Sequence, residues 1–156
     1  MSIKIVRQDI TQMEVDAVVC TTNTRLKPID KVSKAIYKKY FLSRNDVAKR
    51  NHRHEYGQAV CKEVVDSHIK NLICAVRPRS FANKRDYRRY YEHCITVALE
   101  NNCETVAIPL VLNKNKKVSS IDTIIEIETI IINYLNNVEN KKELIVYLVL
   151  YTIRHA

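Results

Sequence analysis

Glycine is almost absent from this 156-residue chain, in which Gly57 is the single example. Average usage in proteins is roughly 7%. Glycine supplies positive φ angles and lets a backbone approach a ligand closely, as the loops that bind phosphate groups often require. The sequence therefore has almost no capacity for Gly-rich phosphate loops.

Paired cysteines and long apolar runs are missing as well. The five cysteines form no Cys-x-x-Cys pair, their number is odd, and most lie in apolar runs. These features predict buried, reduced thiols in a cytoplasmic protein. No apolar run approaches the roughly 18 residues that span a membrane, and the first residues lack the apolar core of a signal peptide. We therefore expect a cytoplasmic protein with no membrane segment.

Metal-binding spacings are also lacking. His52 and His54 lie two residues apart on a polar segment, and Cys61 is the nearest further ligand type. Two ligands on an unanchored loop do not predict a zinc site. We expect no metal and no cofactor.

What the chain has in excess is positive charge. Lysine and arginine outnumber aspartate and glutamate by 26 to 17, which gives a formal net charge of +9. This balance favours acidic partners such as phosphates, nucleic acid or an anionic surface; a lysine-rich solvated surface is the alternative. Length and a hydrophobic content of 46% predict a single domain over residues 1–156.

Apolar runs typical of strands alternate with helical periodicities along the whole chain. The predicted strands cover 3–7, 15–23, 59–65, 72–76, 105–112 and 144–150. The predicted helices begin after Asp30, at Lys84 and near Ser119 or Ser120, and end near residues 40, 101 and 137. On the last helix, six residues are expected to face the core: Ile121, Ile124, Ile125, Ile131, Ile132 and Leu135. The alternation predicts an α/β fold, a mixed sheet between helices in three α/β/α layers.

The first two strands and the turns after them resemble the opening of a macro domain. Members of that family usually read Gly-Asp-Ile-Thr and then Val-Asp-Ala-Ile-Val-Asn-Ala-Ala-Asn. This chain has Gln-Asp-Ile-Thr at 8–11 and Val-Asp-Ala-Val-Val-Cys-Thr-Thr-Asn at 15–23. Gly-Gln-Ala at 57–59, the strand ending in Arg77-Pro78, and Val-Ala-Ile-Pro at 106–109 continue the resemblance, which covers about 3–151.

The resemblance implies a site for ADP-ribose or a related nucleotide at the carboxyl ends of the strands, where open α/β sheets bind ligands. By position, Asp9 would accept a hydrogen bond from the adenine amino group, with the Ile10 amide in reach, and Asn23 would contact the distal ribose. Thr22, Asn113 and Lys114 complete the implied ligand-binding set. Turn-building roles for Asp9 and Asn23, in which each side chain bonds nearby backbone amides, are the alternative.

Both loops that are Gly-rich in the family lack glycine here. The first reads Leu-Lys-Pro-Ile-Asp-Lys-Val at 26–32 and the second reads Leu-Val-Leu-Asn-Lys-Asn-Lys-Lys at 110–117. Lysines supply charge without a preformed nest of amides, and Asp30 would repel a diphosphate. We therefore expect no hydrolase activity.

Basic clusters interleaved with tyrosine leave two other functions open. The cluster at 84–91 offers Lys84, Arg85, Arg88, Arg89 and Tyr90, where cations would neutralise phosphates and tyrosine would stack on unpaired bases. This pattern indicates a module that binds RNA or single-stranded DNA, unless the tyrosines face the core. A protein-interaction module on the same fold is the third possibility, and the sequence does not fix the oligomeric state.

Overall fold

The computed structural model describes residues 2–40, 53–65, 67–110, 120–138 and 143–150. Two predicted ligand residues, Asn113 and Lys114, lie outside these ranges, as do His52 and the second loop from residue 111 onward.

One six-stranded sheet forms the centre of the molecule, in the order β1-β6-β5-β2-β4-β3. Neighbouring strands run parallel except for β3, which pairs antiparallel with β4 at one edge. The strands are β1 (Ser2–Arg7), β2 (Ala17–Thr22), β3 (Ala59–Glu63), β4 (Asn71–Val76), β5 (Thr105–Pro109) and β6 (Ile145–Leu150). β2 is buried along its full length because it lies between β5 and β4 and is covered on both faces.

Helices cover both faces of this sheet. Among the described residues they are α1 (Lys31–Tyr40), α2 (Lys84–Glu100) and α3 (Ser120–Asn137), and a 3-10 turn covers Ile10–Gln12. Consecutive strand residues point to opposite faces, so Val19 packs beneath α2 and α3 while Val18 packs beneath α1 and the 3-10 turn. The predicted α/β fold with three layers is thus confirmed, and none of the described helices combines the length and apolar character needed to cross a membrane.

The buried face of α3 differs from the sequence prediction. Ile131 and Leu135 are buried as expected, but Ile121, Ile125 and Ile132 are 67%, 55% and 37% exposed. A helix that lies on a sheet buries one stripe. Isoleucines surround most of this helix, so their spacing alone did not determine which stripe would face the sheet.

Candidate ligand-binding site

The carboxyl ends of the parallel strands define one edge of the sheet, called here the carboxyl edge. α1 and α2 each begin after a strand that ends at this edge, so their positive amino-terminal ends lie there too. Ligands of open α/β sheets bind at such an edge. The predicted residues Asp9 and Asn23 both follow strands that end at it.

Asp9 is exposed and caps the 3-10 turn that follows β1. Its Oδ1 accepts hydrogen bonds from the Thr11 backbone N–H at 3.0 Å and from the Thr11 hydroxyl at 2.6 Å. Among the described residues only Oδ1 is bonded, so Oδ2 is left for another donor. The side chain of Ile10 is fully buried, so that residue has only its backbone to offer a ligand. One carboxylate oxygen of Asp9 therefore builds the turn, as the alternative role predicted, and the other oxygen is not used by the turn.

Asn23 organises the first loop, in which no glycine is present. Its Oδ1 accepts from the backbone N–H groups of Arg25 at 2.9 Å and Lys27 at 3.1 Å, and its own backbone N–H donates to the Lys27 carbonyl at 2.8 Å. Leu26 stands inside this loop with a φ of +60° and is 3% exposed. A left-handed φ costs a residue with a Cβ about 1–2 kcal/mol. Burial of the leucine side chain and the bonds of Asn23 offset this cost.

Thr22 faces inward and not toward the edge. It is fully buried, its hydroxyl donates to the Asn23 carbonyl at 3.1 Å, and its own carbonyl accepts from the Arg77 backbone N–H at 2.8 Å. Thr22 therefore links the start of the first loop to the residue that follows β4, and its hydroxyl is not presented to solvent.

The amino-terminal end of α1 is occupied by a carboxylate of the chain itself. Asp30 Oδ1 accepts from the Ser33 backbone N–H at 2.7 Å, and Asp30 Oδ2 is buried without a hydrogen-bond partner in the described part of the chain. Ser33 in turn accepts at its hydroxyl from the Thr21 backbone N–H at 3.0 Å. Helix amino termini attract anions, and here the anionic group at that end is the side chain of Asp30.

Cys20 lies under this end of the helix, and its thiol donates to the Ser33 carbonyl at 3.4 Å. Burial, reinforced by the neighbouring Cys74, raises the pKa of the Cys20 thiol well above its ordinary value. The group therefore remains a neutral thiol near pH 7 and has no thiolate to act as a nucleophile.

A tight turn next to the carboxyl edge contains the only glycine, and the sequence did not predict it. The Gln58 N–H donates to the Glu55 carbonyl at 3.1 Å, and Gly57, at the third position, has a φ of +78°, as a type II turn requires. The turn presents Tyr56, and the Arg77 guanidinium lies 5.4 Å from its ring centroid. The sequence Tyr-Gly just ahead of a predicted strand could have indicated this turn.

The predicted nucleic-acid residues at the start of α2 divide into two groups. Lys84, Arg85, Arg88 and Arg89 are exposed. Tyr90 is 3% exposed, and its hydroxyl lies 2.7 Å from that of Thr21. The tyrosine thus faces the core, which is the alternative that the sequence left open, and its ring is not presented to a base.

The opposite edge of the sheet carries a different kind of surface. A groove of about 560 Å³ there is lined by Asn102, Glu104, Thr105, Glu143 and Ile145. Two carboxylates oppose the binding of a phosphate, so the groove does not compete with the carboxyl edge as a nucleotide site. Within the described ranges, no group of three or more His, Cys, Asp and Glu side chains is arranged to hold a metal ion.

Comparison with solved structures shows that the chain has the macro-domain fold. The macro domain of ganglioside induced differentiation associated protein 2 superposes with a TM-score of 0.76 at 17% identity, over 96% of this chain and 77% of that one. The Trypanosoma brucei macrodomain in complex with ADP-ribose also gives 0.76 at 17% identity, over 94% of this chain and 63% of that one. The Thermus aquaticus DarG macrodomain gives 0.68 at 14% identity, over 95% and 97%.

Sequence comparison finds no such similarity. No family model matches the chain, and no curated protein matches it. The likeness to these structures is one of fold, and it confirms the resemblance inferred from the first two strands.

Proposed function

We propose that this chain, with its macro-domain fold, binds ADP-ribose or a related nucleotide at the carboxyl edge and does not hydrolyse it. The observation that carries the proposal is that Asp9 and Asn23 stand after β1 and β2 at that edge, each with one polar group left over from loop building. Solved Trypanosoma brucei macrodomains hold ADP or ADP-ribose, which supports a nucleotide-type ligand.

Asp9 is the proposed adenine contact. Its Oδ2 would accept a hydrogen bond from the exocyclic amino group, and the backbone N–H of Ile10 would donate to a ring nitrogen. Because Oδ1 is held by Thr11 at 3.0 Å and 2.6 Å, the carboxylate is already oriented before a ligand arrives. Such preorganisation reduces the entropy cost of binding.

Asn23 is the proposed ribose contact at the other end of the ligand. Its Oδ1 is used by the two loop amides, so its Nδ2 group would donate to a ribose hydroxyl. Exposed Arg25 and Lys27 on the same loop, with Lys114 and Asn113 from the second loop, would supply charge and hydrogen bonds to the phosphates in place of glycine amides.

The surroundings of these groups support binding without hydrolysis. Thr22 is turned inward, Cys20 is a neutral buried thiol, and Asp30 already occupies the amino-terminal end of α1. None of these three groups is placed to activate a water molecule beside the ligand. We therefore expect a binding module.

The test is a calorimetric titration with ADP-ribose, and it compares Asp9→Asn with the control Glu14→Gln. Asp9→Asn keeps an oxygen for Thr11 but removes the charge that reads the adenine amine, so the affinity for ADP-ribose should fall about tenfold. Glu14 is also exposed but lies ahead of β2, at the other edge of the sheet, so its variant should bind as the unmodified chain does.

Two results would count against the proposal. One is the absence of heat or thermal stabilisation with millimolar ADP-ribose. The other is an equal affinity in the Asp9→Asn and Glu14→Gln variants. Release of ADP-ribose from a modified protein by the unmodified chain would overturn the expected lack of hydrolysis.

A further inference from the structure

We propose that the Tyr56 turn and the arginines beside it form a second site, which binds single-stranded nucleic acid. This site goes beyond the proposed nucleotide pocket and does not depend on it. It uses none of the residues assigned to the pocket, and its aromatic residue differs from the one that the sequence pattern pointed to.

The turn is firmly built. The Gly57 N–H lies 3.1 Å from the Val76 carbonyl and 3.2 Å from the Arg77 carbonyl, so the turn is attached to the end of β4. The Gly57 carbonyl is also hydrogen-bonded to the ring Nδ1 of His93 on α2. Positive φ at this position is disfavoured for any residue with a Cβ. The single glycine of the chain therefore serves to hold Tyr56 in place.

Tyr56 is the aromatic residue that this arrangement exposes. It is 39% exposed, whereas Tyr87, Tyr90 and Tyr91 on α2 are each 3% exposed or less. The Arg77 guanidinium lies 5.4 Å from the Tyr56 ring centroid, a cation–π distance that orients the ring. An ordered, exposed aromatic ring beside a guanidinium is a surface on which an unpaired base can stack.

Further arginines lie on the segments next to this turn. The stem of Arg89 packs against Gly57, since a Cβ built there would lie 3.7 Å from the Arg89 Cγ. Arg85 lies one helical turn before Arg89, and Arg53 lies three residues before Tyr56; all three arginines are exposed. Within the described ranges the salt bridges are Lys70–Asp16 and Arg88–Glu92, so the arginines near the turn have no carboxylate partner among those residues.

Single strands fit this surface better than duplexes or acidic peptides do. A duplex offers its phosphates but keeps its bases stacked, and an acidic peptide would use the arginines but has no base to place on Tyr56. A single strand offers unpaired bases and phosphates in alternation. The ring of Tyr56 can stack on a base while the cations on the turn and on α2 bind neighbouring phosphates. RNA and DNA single strands share this chemistry.

The experiment measures fluorescence anisotropy with labelled dodecamers of uridylate and of deoxyuridylate, and with a DNA duplex. Tyr56→Ala should weaken binding of both single strands roughly fivefold or more, because stacking on an aromatic ring contributes about 1–3 kcal/mol per base. Tyr56→Phe, which keeps the ring, should bind as the unmodified chain does. A preference for uridylate over the deoxyuridylate dodecamer, which has the same base, would identify RNA as the natural form, and the reverse would identify DNA.

Electrostatics are tested by a double variant with a matched control. Arg85→Ala with Arg89→Ala should lower the slope of log affinity against log salt by about 1.4, because each phosphate of a single strand that a cation neutralises contributes about 0.7. The control is Lys34→Ala with Lys38→Ala, which removes the same charge from exposed positions on α1 and should leave the slope unchanged. Circular dichroism melting checks that every variant is folded.

Three outcomes would overturn the site. The first is that the unmodified chain fails to bind either single strand at low salt, and the second is that Tyr56→Ala binds as well as Tyr56→Phe. The third is that the Lys34 and Lys38 control lowers the slope as much as the arginine variant, which would mean that net charge alone attracts the strand. None of the three concerns ADP-ribose, so the nucleotide proposal would stand or fall separately.

Discussion

At the scale of single residues, Asp30 places an acidic group at the carboxyl edge, at the beginning of α1. Its carboxylate bonds the Ser33 N–H at 2.7 Å and so brings a negative charge to the end of α1 where phosphate would gain from the helix dipole. A ligand with a phosphate there must displace that carboxylate or accept repulsion from it.

Replacing Asp30 by serine should therefore raise the affinity for ADP-ribose. Serine retains an oxygen that caps a helix, while the charge is removed, and we expect a gain of about tenfold once the repulsion is gone. Adenosine carries no phosphate, so its affinity should not change. Titration calorimetry with both ligands measures the difference.

Asp86→Ser is the matched control, because Asp86 stands in the first turn of α2 and its variant removes one acidic charge near the same edge. An equal gain in both variants would show a general charge effect and not a local one. A gain for adenosine as large as that for ADP-ribose would also contradict the role assigned to Asp30.

Some of the residue-scale features were predictable from the sequence and others were not. The N-cap role of Asp30 was visible because an acidic residue precedes an apolar helical pattern. The positive φ of Leu26 was not visible, because only the fold shows that the leucine reaches the core from that backbone conformation. For Tyr90 the sequence left both a base-stacking and a core-facing position open, and its contact with Thr21 on β2 decides for the core.

At the scale of elements, a buried pair of hydroxyl groups links α2 to β2. The hydroxyls of Thr21 and Tyr90 lie 2.7 Å apart, although the residues are 69 positions apart in sequence. Each of the two residues is at most 3% exposed. Burial raises the pKa of the Tyr90 hydroxyl well above its ordinary value, so the pair stays neutral and hydrogen-bonded at physiological pH.

Tyr90→Phe should destabilise the fold by about 1 kcal/mol, because the Thr21 hydroxyl loses its partner while it stays buried. Adding Thr21→Val to Tyr90→Phe should cost less than the sum of the two single changes, since both polar groups are then removed. Urea unfolding of the two single variants and the double variant measures this coupling. Tyr56→Phe is the control, because Tyr56 is partly exposed; strictly additive effects at positions 21 and 90 would contradict the pair.

Element positions were largely predictable, and orientations less so. The apolar pattern placed the described helices and strands close to their observed bounds, because strand and helix periods differ enough to be separated. The predicted strand at 59–65 ends in the structure at Glu63, and Val65 is 63% exposed. The face of α3 that contacts the sheet is determined by the strands and the helix packed against it. Isoleucines spread around the helix do not indicate that face.

At the scale of the whole molecule, buried thiols and phenols make stability depend on pH. Burial raises the pKa of Cys74 and Cys94 from 9.0 to about 12 and that of Tyr87 from 10.0 to about 12. Unfolding returns these groups to their ordinary values, so above about pH 9 the unfolded chain loses protons that the folded chain retains. The contribution to stability is complete below about pH 9 and is lost as the pH rises toward about 12.

The free energy of unfolding should therefore be nearly constant from about pH 7 to 8.5 and fall steadily above about pH 9. Urea titrations at half-unit intervals to about pH 11 measure it, and ultraviolet absorbance of tyrosinate is followed in parallel. In the folded protein the phenols of Tyr90 and Tyr91 should stay protonated at the alkaline end of the series, where the urea-unfolded chain is largely ionised. An unchanged free energy up to roughly pH 10.5 would contradict the burial of these groups.

The order of the strands has a consequence for how the chain is made. β1 is an edge strand whose neighbour in the sheet is β6, with Ser2 beside Ile145 and Arg7 beside Leu150. In a nascent chain β1 has no β6 to pair with until residues 145–150 have been made, because β6 is the last of the described strands in the chain. A chain released before β6 is made would lack the strand that joins β1 to β5, and the unpaired edges of both would be open to pairing with another strand.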